Sequence, residues 1–128
     1  MNELVLPNDT NSLGNLMGGR LLHWMDICAA ISAQRHSGGV CVTASVDNVE
    51  FHSPIHQSEI VTLQSQLNRS FRTSMEVEIN VNAENPRTGE KRKSNRAFFT
   101  FVAIGSDGKP VPVPALLPQT DLEIERYE

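Results

Sequence analysis

A single carboxylate, Asp26, lies in the middle of the most apolar stretch of the 128-residue sequence. Residues 18–36 read GGRLLHWMDICAAISAQRH, and the apolar side chains of this stretch leave no wide polar face. A helix of this kind is expected to be buried on most sides, and an ionised group buried within it is costly unless it has a partner. Asp26 is therefore predicted either to bond to a nearby Ser, Thr or His23 as a structural acid, or to take part in chemistry.

Two glycines, Gly18 and Gly19, precede this helix and leave the N–H groups of its first turn uncovered. These N–H groups, at the positive end of the helix dipole, are suited to an oxygen atom that gains negative charge. Asp26 in turn is suited to act as a general base or as a nucleophile. Seven residues along a helix correspond to roughly 10 Å, so Gly19 and Asp26 of one chain cannot both meet one carbonyl group directly. This spacing favours a site shared between two chains.

Basic side chains are concentrated between positions 69 and 96, although the whole chain has a net charge of -4. The net charge argues against non-specific binding to nucleic acid. The local basic zone is either a solvated strand face or a seat for a compact polyanion such as a nucleotide phosphate. The candidates for phosphate contacts are Arg69, Arg72, Lys91, Arg92 and Lys93.

The elements that must position these residues follow from hydrophobic periodicity. A helix is predicted from Gly18 to about His36, where Ser37-Gly38-Gly39 would end it. After the helix the period changes to two, which is typical of β-strands that have one polar face. The predicted strands cover residues 3–6, 40–51 with a bulge near Asn48, 60–71, 75–81 and 91–104. The last of them is apolar on both sides, as in a strand central to its sheet.

These elements predict one α+β domain over residues 1–128, with an antiparallel sheet around one long helix. From about residue 109 the chain is rich in proline and is expected to form an extended strap, with a possible short terminal helix. We expect a cytoplasmic protein, because no apolar run approaches the roughly 20 residues that cross a bilayer and no signal peptide is visible. Cys28 and Cys41 are not at metal-ligand spacing and are expected to be reduced packing residues.

The predicted elements also indicate an assembly. Four or five strands of this length wrap only part of a long helix, so some apolar helix surface and one sheet edge are left uncovered. A homodimer whose sheets join edge to edge is the simplest closed arrangement that covers both.

The order of four motifs resembles that of the hotdog-fold acyl-CoA thioesterases, in particular the cytosolic acyl-CoA hydrolase branch. The motifs are GN-x-x-GG at 14–19, MD at 25–26, VTASVD at 42–47 and TSMEV at 73–77. The resemblance implies a curled antiparallel sheet around the central helix. It also implies hydrolysis of a fatty acyl-CoA to a free fatty acid and coenzyme A, without a further cofactor or a metal.

The resemblance also implies site residues. Asn15 and Asp26 would form the functional pair, with Asn15 of one protomer working beside Asp26 of the other, and the Asn15 amide would hold the water or the carbonyl group. The strand segments Ala44-Ser45-Val46 and Thr73-Ser74-Met75 would contact coenzyme A, because their backbone and hydroxyl groups suit a pantetheine arm. A homodimer, and further a trimer of dimers, is the assembly that the resemblance favours.

Two other functions remain open at this point. The FHSPI segment at 51–55 superficially resembles a motif of hotdog hydratases and dehydratases. A non-catalytic acyl-CoA sensor would use the same pocket, although Asp26 would have no purpose in it. His52 and His56, which flank Ser53-Pro54-Ile55, are expected to be exposed loop residues.

Overall fold

The computed structural model describes residues 1–115. The elements are β1 (Asn2–Leu4), a short 3₁₀ helix (Pro7–Asp9), α1 (Gly18–Ser37), β2 (Cys41–Phe51), β3 (Ile60–Ser70), β4 (Ser74–Glu84) and β5 (Lys91–Ala103). The predicted terminal helix lies outside the described residues. No helix of the described part is long and apolar enough to cross a membrane.

The strands form one antiparallel sheet in the order β1-β3-β4-β5-β2. Helix α1 packs against β2, β3, β4 and β5, so the sheet curls around a single helix. The predicted α+β class, the antiparallel sheet and the interior place of the last strand are confirmed. Within residues 1–115 the order also leaves β2 at one edge of the sheet, with one side of its backbone unpaired.

The boundaries of α1 follow local chemistry. The helix begins directly after Met17, whose backbone is extended and whose side chain makes no capping hydrogen bond. It ends at Gly38, which has a left-handed backbone with φ of 75° and donates its N–H to the carbonyl oxygen of Gln34 at 2.8 Å. Glycine adopts this conformation without the steric cost that other residues have, which is why the predicted stop is met within one residue.

The core lies between one face of α1 and the concave face of the sheet. Alternate residues of β4 and β5 are fully buried there, and Phe99 stacks on Phe101 with ring centroids 6.2 Å apart. The helix contributes Leu21, Trp24, Met25, Cys28, Ala29 and Ala33 to this core. Its small residues permit close approach of the helix backbone to the strands.

The opposite face of α1 is not covered. Leu22, Ile27 and Ile31 keep between 39% and 42% of their surface exposed, so the expectation of a helix buried on most sides is not met within one chain. The physical reason is that the four long strands wrap one side of the helix only. Edge strand β2 is exposed along most of its length as well, and Phe51 at its end is 73% exposed.

Strand β2 is irregular at two points. Its register against β5 shifts between Asp47 and Glu50, where Asn48 has a positive φ of 51°, and this confirms the predicted bulge. A second shift, between Thr43 and Ser45, was not predicted. Each bulge bends the strand, so β2 can follow the curvature of the sheet around the helix.

The described part of the proline-rich segment runs along the end of the sheet. Val111 donates its N–H to the oxygen of Ala103, and Val113 donates to the oxygen of Arg72, each at 3.0 Å. The ring Nε2 of His36 contacts the oxygen of Pro114 at 2.7 Å. As far as residue 115, these contacts tie the segment to the sheet and to the end of α1.

Candidate active site

Asp26 lies midway along α1 and is half-buried beside edge strand β2. The hydroxyl Oγ1 of Thr43 donates a hydrogen bond to Asp26 Oδ1 at 2.6 Å. A hydroxyl bond to a carboxylate at this distance is charge-assisted and fixes the orientation of the carboxylate. Within the described residues the second oxygen, Oδ2, has no hydrogen-bond partner.

A cavity of about 310 Å³ opens beside this pair. Its walls are formed by Gly19, Leu22, His23, Asp26, Thr43, Val46 and Phe99. Ligand pockets are typically apolar with a few well-placed polar groups, and this cavity has that composition. The carboxylate of Asp26 and the first turn of α1 therefore line the same cavity, although they lie at different positions along the helix axis.

The two glycines at the start of α1 leave that space open. A side-chain carbon added at Gly18 or Gly19 would meet nothing within 4 Å. Packing within this chain therefore does not require glycine at either position. The N–H groups of the first helical turn have no acceptor within the helix, and no side chain caps them. These donors are therefore left for an acceptor outside the helix.

Asn15 lies in a different environment, against the loop between β2 and β3. Its Oδ1 contacts the ring Nδ1 of His56 at 2.7 Å, and the two residues also form an isolated backbone bridge. Leu16 donates its N–H to the oxygen of Ile55 at 2.7 Å. Asn15 is not among the residues that line the Asp26 cavity, so one chain does not bring the two predicted partners together.

A second asparagine shapes the same loop. Asn11 Oδ1 accepts the backbone N–H groups of Leu13 at 2.9 Å and Asn15 at 3.2 Å. Side-chain bonds of this kind are typical of asparagine in turns. They occupy the side-chain oxygen of Asn11 and hold Asn15 at the point where it meets His56.

Behind His56 lies an ion pair between the buried Glu59 and the half-buried Arg92. Glu59 Oε1 accepts the N–H of His56 and a bond from Arg92 Nη2, both at 2.7 Å. Arg92 Nη2 also donates to the oxygen of Pro54 at 2.6 Å. The hydrogen bond from Arg92 holds the pKa of the Glu59 carboxyl below its usual value, against the opposing effect of burial. The Arg92 side chain, predicted to contact phosphate, is thus engaged within its own chain.

Two segments, residues 44–46 and 73–75, are predicted to contact coenzyme A. Ser45 pairs with Thr100, which pairs in turn with Glu76, so 44–46 and 73–75 lie at the same end of the sheet with β5 between them. Ala44 and Ser45 are exposed, and Val46 lines the Asp26 cavity. The Met75 side chain is fully buried, which leaves only its backbone for a ligand.

Lys91 lies at the other end of the sheet. It pairs with Glu84, the last residue of β4, whereas Thr73 and Ser74 lie where that strand begins. A strand rises roughly 3.3 Å per residue, so the length of β4 corresponds to about 33 Å. The basic zone is therefore divided, and one chain does not bring Arg72 together with Lys91 and Arg92. Among the described residues, no group of three His, Cys, Asp or Glu side chains is placed to hold a metal ion.

Comparison with known proteins assigns the family. The model of the thioesterase superfamily matches residues 13–90, more than half of the chain. The chain belongs to the thioesterase superfamily. The family resemblance drawn from the sequence and the hotdog fold that it implied are both confirmed.

Relatives of this thioesterase-superfamily chain cover most of its length. The uncharacterized acyl-CoA thioester hydrolase YkhA of Bacillus subtilis is 46% identical over 120 residues, which are 94% of this chain and 70% of that protein. The cytosolic acyl coenzyme A thioester hydrolase of Rattus norvegicus is 39% identical over 98% of this chain, which spans 34% of the rat protein. A structure of an apo-hexameric acyl-CoA thioesterase has a TM-score of 0.94 at 41% identity, over 99% of this chain and 81% of that one.

Structures of an acyl-CoA hydrolase from Staphylococcus aureus allow a comparison of positions. The complex with butyryl coenzyme A and coenzyme A has a TM-score of 0.91 at 34% identity, over 99% of this chain and 77% of that one. Three further structures each carry one alanine replacement, of an asparagine, an aspartate or a threonine. The asparagine precedes the aspartate by 15 positions, and the threonine follows it by 17. In this chain the same intervals lead from Asp26 back to Asn11 and forward to Thr43.

Sequence reasoning passed over three residues that the structure places at or near the predicted site: Asn11, Thr43 and His56. Thr43 lies inside the VTASVD motif, but no local pattern says which strand packs beside the helix. Asn11 is a residue type that is ordinary in a turn. Its interval of 15 residues to Asp26 becomes informative only by comparison with the Staphylococcus aureus hydrolase. His56 is exposed as predicted, yet its contact with Asn15 joins positions that are 41 residues apart.

Proposed function

We propose that this protein hydrolyses acyl-CoA thioesters and that Asp26 carries the reaction. The observation that supports this most strongly is the Thr43–Asp26 hydrogen bond of 2.6 Å at the wall of an apolar cavity. An aspartate and a threonine at the same interval are the residues replaced in the Staphylococcus aureus hydrolase. Butyryl coenzyme A is bound in a structure of that enzyme, which supports an acyl-CoA substrate here.

The proposed reaction uses one oxygen of Asp26 as the base. Thr43 holds Oδ1, and Oδ2 accepts a proton from a water molecule whose oxygen forms a bond to the thioester carbonyl carbon. The carbonyl oxygen gains negative charge and is stabilised by the N–H groups at Gly18 and Gly19 of the other protomer. The carbon–sulfur bond then breaks, the electron pair leaves with sulfur as the coenzyme A thiolate, Asp26 Oδ2 returns its proton to that sulfur, and the fatty acid is released. Direct attack by Asp26 Oδ2 on the same carbon is the alternative, with an anhydride that water then hydrolyses.

We propose further that the complete site forms between two copies of the chain. Asn15 does not line the cavity beside Asp26 of the same chain. A second copy of the chain would also cover surfaces that the described residues leave open, namely the edge of β2 and one face of α1. Within the described residues strand β2 has a free backbone edge, and the exposed Leu22 on α1 lines the same cavity as Thr43 and Val46 of β2. Pairing of β2 with its symmetry mate would continue the sheet and bring the Asn15 loop of one protomer towards Asp26 of the other. The hexameric state named for one relative supports a trimer of such dimers.

In this proposal coenzyme A is part of the substrate and the product, and no other cofactor takes part. Its pantetheine arm would pass along residues 44–46 and 73–75, which lie at one end of the sheet. Arg72 lies next to the second segment and is exposed, so it is the best placed of the predicted residues for a phosphate contact. Lys91 and Arg92 would reach the same ligand only from another protomer. The rat relative, named as cytosolic, supports a cytoplasmic location.

The test is release of free thiol from a panel of acyl-CoA substrates of increasing chain length. We expect turnover by the natural protein and a fall of about 10³-fold in kcat for Asp26→Asn, since loss of a general base typically has that order of effect. Asp107→Asn serves as the matched control, because Asp107 is exposed in the turn after β5 and its side-chain oxygen accepts the N–H of Lys109, which asparagine also allows.

Two results would contradict the proposal. One is saturable binding of acyl-CoA without any thiol release by the natural protein, which would indicate a sensor. The other is unchanged turnover in Asp26→Asn, which would leave the activity but remove Asp26 from it.

A further inference from the structure

A groove of about 700 Å³ lies between α1 and β3. Ile31 and Arg35 line it from the helix, and Ser65 lines it from the strand. Arg35 follows Asp26 by nine positions, and a helix turns by about 100° per residue, so the two side chains leave α1 on opposite faces. The groove is therefore separate from the candidate active site.

Strand β3 presents an outer backbone edge at this groove. Strand β1 pairs with residues 60–62 of β3, and the oxygen of Met1 accepts the N–H of Leu63 at 2.8 Å. Every second residue directs its backbone groups to this side, so Ser65 and Leu67 direct theirs away from β4. Within residues 1–115 no strand lies beside these two residues on that side. An edge of this kind is a template for a further strand.

The described part of the chain ends near the same groove. Val113 donates its N–H to the oxygen of Arg72, just beyond the end of β3. The oxygen of Pro114 lies 2.7 Å from the ring Nε2 of His36 in the last turn of α1. We propose that residues 119–125 pair with the outer edge of β3 as an antiparallel strand and cover the groove.

The chain beyond this point is long enough to reach that edge. Arg72 follows Ser65 by seven positions, which correspond to roughly 23 Å of strand. Residues 114–125 span about 40 Å when fully extended. A chain that continues from Arg72 towards Ser65 runs opposite to β3, which is why the proposed pairing is antiparallel.

The composition of the proposed strand fits the groove. Two apolar residues alternate with three acidic ones over residues 121–125, which read DLEIE. This period of two is typical of a strand with one apolar face, and that face would cover Ile31, which is 41% exposed. Among residues 1–115 no acidic side chain lines the groove, whereas Arg35 does. The three carboxylates therefore meet no like charge there.

The first test is amide hydrogen exchange, read residue by residue, in the natural protein and in a variant that lacks residues 116–128. We expect the N–H groups of Ser65 and Leu67 to exchange at least about 10-fold more slowly in the natural protein, because a paired edge must open before it exchanges. Val77 and Ile79 of β4 have strands on both sides and should exchange equally slowly in both proteins, which shows that the fold is retained.

The second test keeps the full chain and uses Glu123→Pro and Ile124→Pro. Adjacent residues of a strand direct their N–H groups to opposite sides, so one of these two N–H groups faces β3 in any register. Proline removes that donor, so in at least one variant Ser65 and Leu67 should exchange as fast as in the deletion. Tyr127→Pro is the matched control, because it lies beyond the proposed strand and should behave like the natural protein.

Three results would overturn the inference. Fast exchange at Ser65 and Leu67 in the natural protein would mean that nothing covers the edge. Slow exchange in the deletion variant would mean that a second copy of the chain, or another partner, covers it instead. Fast exchange on deletion with no effect of either proline would mean that the segment is not paired as a strand. None of these results depends on thiol release, so the inference and the proposed function can fail separately.

Discussion

The two sides of the candidate site differ in how firmly one chain holds them. The Asn15 side is fixed by a backbone bridge, a side-chain bond to His56 and the Glu59–Arg92 ion pair. The Asp26 side has one side-chain bond, from Thr43, on an edge strand that is mostly exposed.

This difference shows where the isolated chain is incomplete. On the held side, Asn15 Oδ1, the N–H of His56 and the carboxylate of Glu59 are each bonded within the chain. The open side combines a cavity of about 310 Å³, a free strand edge and exposed apolar residues on α1. In the proposed dimer these two sides come from different protomers. The firmly held Asn15 loop of one chain would then complete the cavity beside Asp26 of the other.

The largest effect on turnover is expected at the Thr43–Asp26 hydrogen bond, which holds the open side of the site. Thr43→Val keeps the β-branched shape on β2 but removes the hydroxyl that holds Asp26 Oδ1. A hydrogen bond to a charged group contributes about 2 kcal/mol, which corresponds to roughly a 30-fold fall in kcat. Thiol release measures this fall, and Thr43→Ser, which retains the hydroxyl, should keep most of the activity. Equal losses in the two variants would argue against the hydrogen bond as the cause.

A smaller effect on turnover is expected at the start of the helix. Gly19→Ala adds a methyl group that meets nothing within 4 Å in the single chain and improves helix propensity, so stability should rise by about 0.5 kcal/mol. The same methyl group projects into the space proposed for the thioester, so kcat should fall by about 10-fold.

Urea denaturation and thiol release measure these two quantities separately. Gly39→Ala is the matched control, because a side-chain carbon at Gly39 also meets nothing within 4 Å and lies beyond the other end of the helix. If Gly19→Ala gains stability but keeps its turnover, the first turn of α1 takes no part in the proposed site.

The smallest effect is expected on the held side, and it depends on pH. The bond from Arg92 lowers the pKa of Glu59 below its usual 4.5, so the folded protein binds fewer protons than the unfolded chain. The resulting stabilisation is complete above pH 4.5 and is lost as the pH falls through the lower folded-state pKa. Glu59→Gln should therefore cost about 1 kcal/mol at pH 7, with a gap to the natural protein that narrows below pH 4.5.

Urea midpoints between pH 3 and pH 7 test this expectation. Glu3→Gln is a suitable control, because Glu3 lies on short edge strand β1 and takes no part in the Glu59–Arg92 ion pair. A gap between Glu59→Gln and the natural protein that stays constant across this range would contradict the role of the ion pair.

Local patterns predicted most elements because their causes are local. The helix from Gly18 ends within one residue of its predicted stop, since glycine at position 38 adopts the left-handed backbone. The strand segments are recognisable because one face of each is apolar. The bulge at Asn48 is visible as a slip in that alternation, whereas the shift near Ala44 leaves the alternation intact and was missed.

The candidate site was predicted only in part. Asp26 is conspicuous as the one acid in an apolar helix, and the glycines precede the same helix in sequence. Thr43 and His56 are ordinary in their local context, and their partners lie 17 and 41 residues away. The basic side chains all fall within residues 69–96 of the sequence, but they are divided between the two ends of strand β4 in the fold.

The sequence by itself determined which segments form helix and strand and which helix carries the acid, because side-chain periodicity and glycine conformation act over a few residues. Only the tertiary structure decided which strand lies at the sheet edge, that Thr43 meets Asp26 and that Arg92 is engaged by Glu59. These are contacts between distant segments, set by strand order and by packing of the helix against the sheet. No pattern within a short window of sequence contains that information.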